Sequence, residues 1–203
     1  MASSILLSSV TDPYHGIERK YLLIRGILEA FVEADYPGPI SILTKSPLVL
    51  RDVDLLKQLN SEVGLTITTT DDQLSRFLEV KAPLASRRLD TVTKLVQQGV
   101  HTYVFVGPLL PHFRYQPELL EDLFQAIAET GTQDVYIEHL NLSPYIKEQM
   151  WKTLDNESEQ IKSIYTKAQT DEHRQTLDEI IAELIEKYNL QIRFGGTIYH
   201  PEL

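Results

Sequence analysis

The sequence predicts an α/β protein built on a parallel sheet, and three observations carry that prediction. Short apolar or β-branched runs alternate with amphipathic stretches of helical spacing along the chain. Each strand-plus-helix unit takes roughly 30 residues, as a βα repeat should. Each apolar run also ends in polar or turn residues. Five such units and a terminal strand describe a sheet that is either open or curled toward a barrel. Strands joined by helices of this length run parallel with right-handed crossovers.

The clearest unit is Ile40 to Leu78. Ile40–Leu43 is an apolar run followed by Thr44, Lys45 and Ser46. Val49, Val53, Leu55, Leu56 and Leu59 then fall at helical spacing until Asn60 and Ser61 break it. Val63–Thr68 is β-branched and runs into Thr69, Thr70, Asp71 and Asp72.

Before this unit, Ile5–Val10 reads as a strand ending at Thr11 and Asp12. Ile17–Ala34 reads as one amphipathic helix, and Pro37-Gly38-Pro39 closes the connection. After it, Ala85–Gln98 is a helix with Gly99 as its cap. Thr102–Val106 is a strand, 111–116 a loop, and Pro117–Thr130 a helix stopped by Gly131. Val135–Ile137 is a strand ending in Glu138, His139 and Asn141. Ser143-Pro144 caps a helix through Trp151, and 155–158 is a bend. Ile161–Tyr188 is helical, and Leu190–Phe194 is a last strand. The expected organisation is an α/β unit over 1–155 and a helical extension with a terminal strand over 156–203, packed on the same domain.

Composition narrows the chemistry. Hydrophobic residues at 42% and charged residues at 24% suit a soluble globular core, and no run is long enough to span a membrane. The N-terminus has no basic segment before its apolar one, so a cytoplasmic location is expected. There is no cysteine, which rules out disulfides, thiolate zinc sites and a cysteine nucleophile. A net charge of −10 opposes non-specific nucleic-acid binding.

Parallel α/β folds gather chemistry at the carboxyl ends of their strands. The candidates are therefore Thr11 and Asp12, Thr44, Lys45 and Ser46, Thr68, Thr69 and Thr70 with Asp71 and Asp72, Gly107-Pro108, and Glu138, His139 and Asn141. Lys45 can hold a carboxylate or phosphate as a point charge, and the threonines can donate to the same anion or to a sugar hydroxyl. The competing reading is structural: Asp and Ser at strand ends often cap the next helix. No phosphate-binding glycine loop and no metal-ligating histidine spacing occurs, so no metal site is assigned.

Several phrases, read together, resemble one family. TDPYHGIERKYLLIRGILE, ISILTKSPLVLRDVDLL, VGLTITTTDDQLSRFLE, ASRRLDTVTKLVQQGV and YVFVGPLLP are similar to consecutive blocks of radical S-adenosylmethionine proteins of the spore photoproduct lyase-like group. The resemblance implies a partial (β/α) barrel that holds S-adenosylmethionine and a [4Fe–4S] cluster at its carboxyl face. Members of the family cleave the cofactor reductively to a 5′-deoxyadenosyl radical. It further implies that Thr11 and Asp12 contact the cofactor's amino group, and that Lys45, Ser46, Thr68, Thr69 and Thr70 lie where carboxylate and ribose are held. The family's usual GGE triplet reads differently here.

The family's CxxxCxxC motif and first strand are not in this chain. The expectation is an N-terminally truncated member whose cluster belongs only to a full-length form, and which is not catalytic alone. Its substrate is unknown. The edge at Ile5–Val10 would then be open to self-association or a partner chain. Two alternatives remain: a non-catalytic binding or scaffold module on the same barrel, and an unrelated cysteine-free hydrolase or lyase using Asp12, Lys45 and Glu138.

Overall fold

The computed structural model describes residues 3–7, 11–141, 144–155, 157–168 and 170–200. Six parallel strands form one sheet: β1 Ile5–Leu7, β2 Ile40–Thr44, β3 Ser61–Thr66, β4 His101–Val106, β5 Asp134–Ile137 and β6 Gln191–Ile192. They lie side by side in chain order. Sequential parallel strands with right-handed crossovers place their helices on one face, as in a (β/α) barrel. Here the barrel is partial, with β1 and β6 as its two edges.

The alternation of side chains fixes the two faces. Ile40, Ile42, Val63, Leu65, Val104, Val106, Val135 and Ile137 point to the helices and are fully buried. They meet Leu28 of α2 (Leu23–Glu33), Val92 and Leu95 of α5 (Ala85–Gln97), and Leu120, Leu123, Phe124 and Ile127 of α6 (Pro117–Glu129). Leu177, Ile181 and Leu184 of α9 (Asp171–Lys187) close the same core. Each such side chain contributes about 1.5–3 kcal/mol by leaving water. On the opposite, concave face, Gly64 lies beneath the Tyr103 ring, and a Cβ there would collide with it.

Several boundaries differ from the sequence reading, each for a local reason. The expected helix Ile17–Ala34 is two helices, α1 (Glu18–Tyr21) and α2, parted at Leu22, whose φ is 53°. Glu18 causes the break: its carboxylate accepts from the amides of Leu23 and Ile24 and caps α2 (2.9 and 3.1 Å). The stretch from Val49 begins as a 3₁₀ turn, Pro47–Asp52, before the short α3 (Val53–Leu56). Asp71 caps an unanticipated helix α4 (Asp72–Leu78), and the 111–116 loop holds a 3₁₀ turn, Pro111–Arg114.

After α7 (Pro144–Leu154), the long C-terminal helix is two, α8 (Glu159–Lys167) and α9, with Thr170 capping the second. The last strand is cut to Gln191–Ile192, because Arg193–Gly195 turns away as a 3₁₀ segment. Of the first strand, residues 8–10 lie outside the described residues, as does the expected cap at Ser143. Among the described residues β1 pairs on one side only, with β2, and Leu6 on it is 55% exposed. Among the described residues no helix is long and apolar enough to cross a membrane.

Candidate functional site

At the carboxyl edge of the sheet, Asp12 ties the first two strand tips together. Its carboxylate accepts from its own turn, the Tyr14 amide at 2.8 Å. It also accepts from the Thr44 hydroxyl at 2.5 Å and the Lys45 amide at 2.8 Å. An aspartate with three such donors orders the loop; its oxygens are already engaged. Ser46 likewise serves the backbone, accepting from the Leu48 amide to cap the 3₁₀ turn. Thr11 is exposed beside this loop.

Lys45 carries the charge of the edge. Its ammonium stands 2.9 Å from Glu79, and it keeps over a third of its side chain in solvent. Glu79 is shared with the guanidinium of Arg88, which is only 1% exposed. Arg88 also donates to the Thr66 carbonyl (3.0 Å) and the Pro83 carbonyl (2.8 Å), locking the end of β3 to the 79–83 segment. Burial pushes the Glu79 carboxyl up, but Lys45 and Arg88 outweigh it and hold it below the usual carboxylate range.

Thr68 and Thr69 are buried just beyond β3. Thr69 accepts from the Asp71 amide at 3.1 Å. The hydroxyls of Thr68 and Thr70 make no hydrogen bond among the described residues. Lys45 is thus ion-paired while partly in solvent, whereas Asp12, Ser46 and Thr69 accept from backbone amides.

Sequence reasoning missed the network beneath this edge. Asp52 is fully buried and accepts from the Tyr14 hydroxyl (3.1 Å), Arg25 (3.1 Å) and both Nε and Nη2 of Arg51 (2.7 Å each). Arg51 reaches on to Glu18 at 2.9 Å. Burial and the Asp52 carboxylate push the Tyr14 phenol far above its ordinary range, so it stays a donor. The signal in the sequence was the pair Arg51-Asp52 inside the apolar run LVLRDVDLL, where a charge must find a partner.

At the β5 tip, Glu138 pairs with His200 (3.0 Å) and His139 with Asp178 (2.8 Å), which also accepts from Thr197 (2.9 Å). Asn141 is half-buried just beyond them. Gly107 lets β4 pass close to Glu138; a Cβ there would lie 3.0 Å from that of Glu138. Among the described residues no three His, Asp or Glu side chains converge as metal ligands.

His173, buried in the first turn of α9, leaves its Nδ1 without a hydrogen bond. Burial, with Arg114, His139 and Arg174 nearby, lowers its pKa from 6.5 to about 4. A depressed histidine pKa means the unfolded chain binds the proton first, so stability falls as pH drops from 6.5 toward 4. The loss amounts to as much as roughly 3 kcal/mol. Urea melts across this window should show the acid limb, and His173→Leu should flatten it. An unchanged limb in the variant would assign the acid sensitivity elsewhere.

No protein-family model matches the chain. An uncharacterised protein of Methanocaldococcus jannaschii is 40% identical over 141 residues, 68% of this chain and 51% of that protein. A protein of Pseudomonas phage M6 named radical SAM Nalpha-GlyT isomerase is 29% identical over 131 residues, 64% of this chain and 27% of its own length. The chain thus spans about half or less of either relative.

Among solved structures, spore photoproduct lyase complexed with dinucleoside spore photoproduct superposes with a TM-score of 0.67. That match covers 97% of this chain and 60% of the lyase at 16% identity. Streptococcus suis SuiB bound to S-adenosylmethionine superposes at 0.56, covering 98% of this chain and 39% of SuiB at 13% identity. At these identities the likeness establishes the fold.

Proposed function

Proceeding from a chain with the partial-barrel fold of the radical S-adenosylmethionine proteins, similar in fold to spore photoproduct lyase, we propose that it is a cofactor-holding barrel of that group. Its role is to bind and orient S-adenosylmethionine at the carboxyl edge. The single observation that carries this reading is the Lys45–Glu79–Arg88 arrangement, which Arg88 ties to the Thr66 carbonyl at the end of β3, just before Thr68 and Thr70. On this reading the Lys45 ammonium takes the amino-acid carboxylate, and the Thr68 and Thr70 hydroxyls take the ribose. Asp12 acts by shaping the loop that Thr11 and Lys45 stand on.

S-adenosylmethionine supplies an adenosyl group that its family releases on reduction. A [4Fe–4S] cluster does not fit this chain, because the donor set contains no thiolate. Thiolates would have to come from residues outside this sequence, so the chain alone binds without turnover.

Titration calorimetry of the purified chain with S-adenosylmethionine, without iron, tests the reading. Saturable binding is expected, weakened at least tenfold in Lys45→Ala, since a charge-assisted hydrogen bond contributes about 1.5–3 kcal/mol. A folded protein that gives no saturable heat would favour the scaffold reading instead.

A further inference from the structure

A cavity of about 420 Å³ lies on the concave face of the sheet, toward the amino ends of the strands and away from the carboxyl-edge site. Its volume falls within the range of small-molecule pockets. Gly64 has no side chain to fill this face, and the Tyr103 ring lies across it. Ser41 and Leu43 form one side, and the rings of Tyr103, Phe105 and Tyr136 form the other. The rings make a continuous aromatic wall. Tyr103 meets Tyr136 edge-on at 4.9 Å, and Tyr136 meets Phe194 edge-on at 5.0 Å.

Phe194 is the anomalous member. It is 83% exposed, and its φ of 61° is a left-handed conformation that a bulky residue adopts only at a cost. The ring is nonetheless held edge-on against Tyr136 at the mouth of the cavity it lines. The exposure and the backbone conformation are explained if the ring forms the outer wall of a binding site.

The charged groups on the rim are paired with one another. Arg193 pairs with Glu62 (3.3 Å) and Asp134 (3.5 Å) while lying 5.1 Å over the Tyr136 ring. His101 stands 2.9 Å from Asp134 and 3.7 Å from Glu62. A charged ligand would have to break these pairs. What a ligand meets is ring surface, the outer lone pairs of Glu62, and the Ser41 and Tyr103 hydroxyls, which lie 3.4 Å apart and share one hydrogen bond while keeping acceptor capacity.

We propose that this cavity binds a neutral, planar aromatic small molecule carrying an N–H or O–H donor. The rings supply offset or edge-on contact, and Glu62 or Ser41 accepts the donor. The site is separate from the carboxyl edge and does not depend on the cofactor reading above.

The test is fluorine NMR of 5-fluoroindole titrated with the whole chain. Saturable line broadening is expected, weakened about tenfold by Phe194→Ala and abolished by Ser41→Trp, which fills the cavity. Lys45→Ala and excess S-adenosylmethionine should leave it unchanged. No saturation by a cooperatively melting protein overturns the proposal, as does binding indifferent to both cavity variants. If Ser41→Trp does not fold, the exposed Phe194→Ala decides alone. A dimer in sedimentation that excludes the probe would make this face an interface between copies, and would also overturn it.

Discussion

Asp52→Ala is expected to cost the fold about 3 kcal/mol, the lower part of the range for breaking a buried ion pair. The carboxylate is completely buried and takes four hydrogen bonds, from Tyr14, Arg25 and two nitrogens of Arg51. Removing it leaves two guanidinium groups facing each other and a buried phenol with no acceptor. Both arginines keep roughly a quarter of their side chains in water, so solvent relieves part of the cost. Arg25 also retains Glu29 and Asp54, whereas Arg51 falls back on Glu18. Urea denaturation of the variant measures the loss directly. A change below about 1 kcal/mol, the size expected of surface pairs, would mean the network is an ornament of the surface.

The second large effect is expected at Arg88. Arg88→Met keeps the aliphatic volume and removes three functions at once. The Thr66 and Pro83 carbonyls lose their donor, and Glu79 keeps only Lys45. A cost of about 3 kcal/mol is expected from the stranded carbonyls and the weakened buried pair. The variant also has a consequence at the edge. With Arg88 gone, Glu79 binds Lys45 more exclusively, so an anionic ligand competes less well for the ammonium. Stability should therefore fall together with affinity for S-adenosylmethionine. If affinity holds while stability falls, Glu79 does not govern Lys45.

Much of the fold was legible because burial and periodicity agree. In a sequential parallel sheet every helix covers the same face, so alternating runs such as Ile40–Thr44 and helical runs such as 85–97 each declare their side. Part of what misled was a side chain acting on backbone away from the local pattern. Glu18 caps α2 from inside what reads as a single helix, and Leu22 pays with a left-handed φ. Phe194 leaves a strand that its composition would continue.

The strand-tip residues were readable as a set, because polar clusters follow each apolar run. Their division of labour was not. That Asp12 and Ser46 spend their oxygens on amides while Lys45 keeps an exposed ammonium depends on how two loops meet in space. The Arg51–Asp52 network was not legible, because the partners Tyr14, Glu18 and Arg25 lie 26 or more residues away.

The central claim is that Lys45 holds a carboxylate at the carboxyl edge. The most direct measurement compares calorimetric binding of S-adenosylmethionine with that of its decarboxylated analogue, in the native chain and in Lys45→Ala. The account predicts at least tenfold weaker binding of the analogue by the native chain and no discrimination by Lys45→Ala. Equal affinity for both ligands in the native chain, or discrimination that survives in Lys45→Ala, would contradict it.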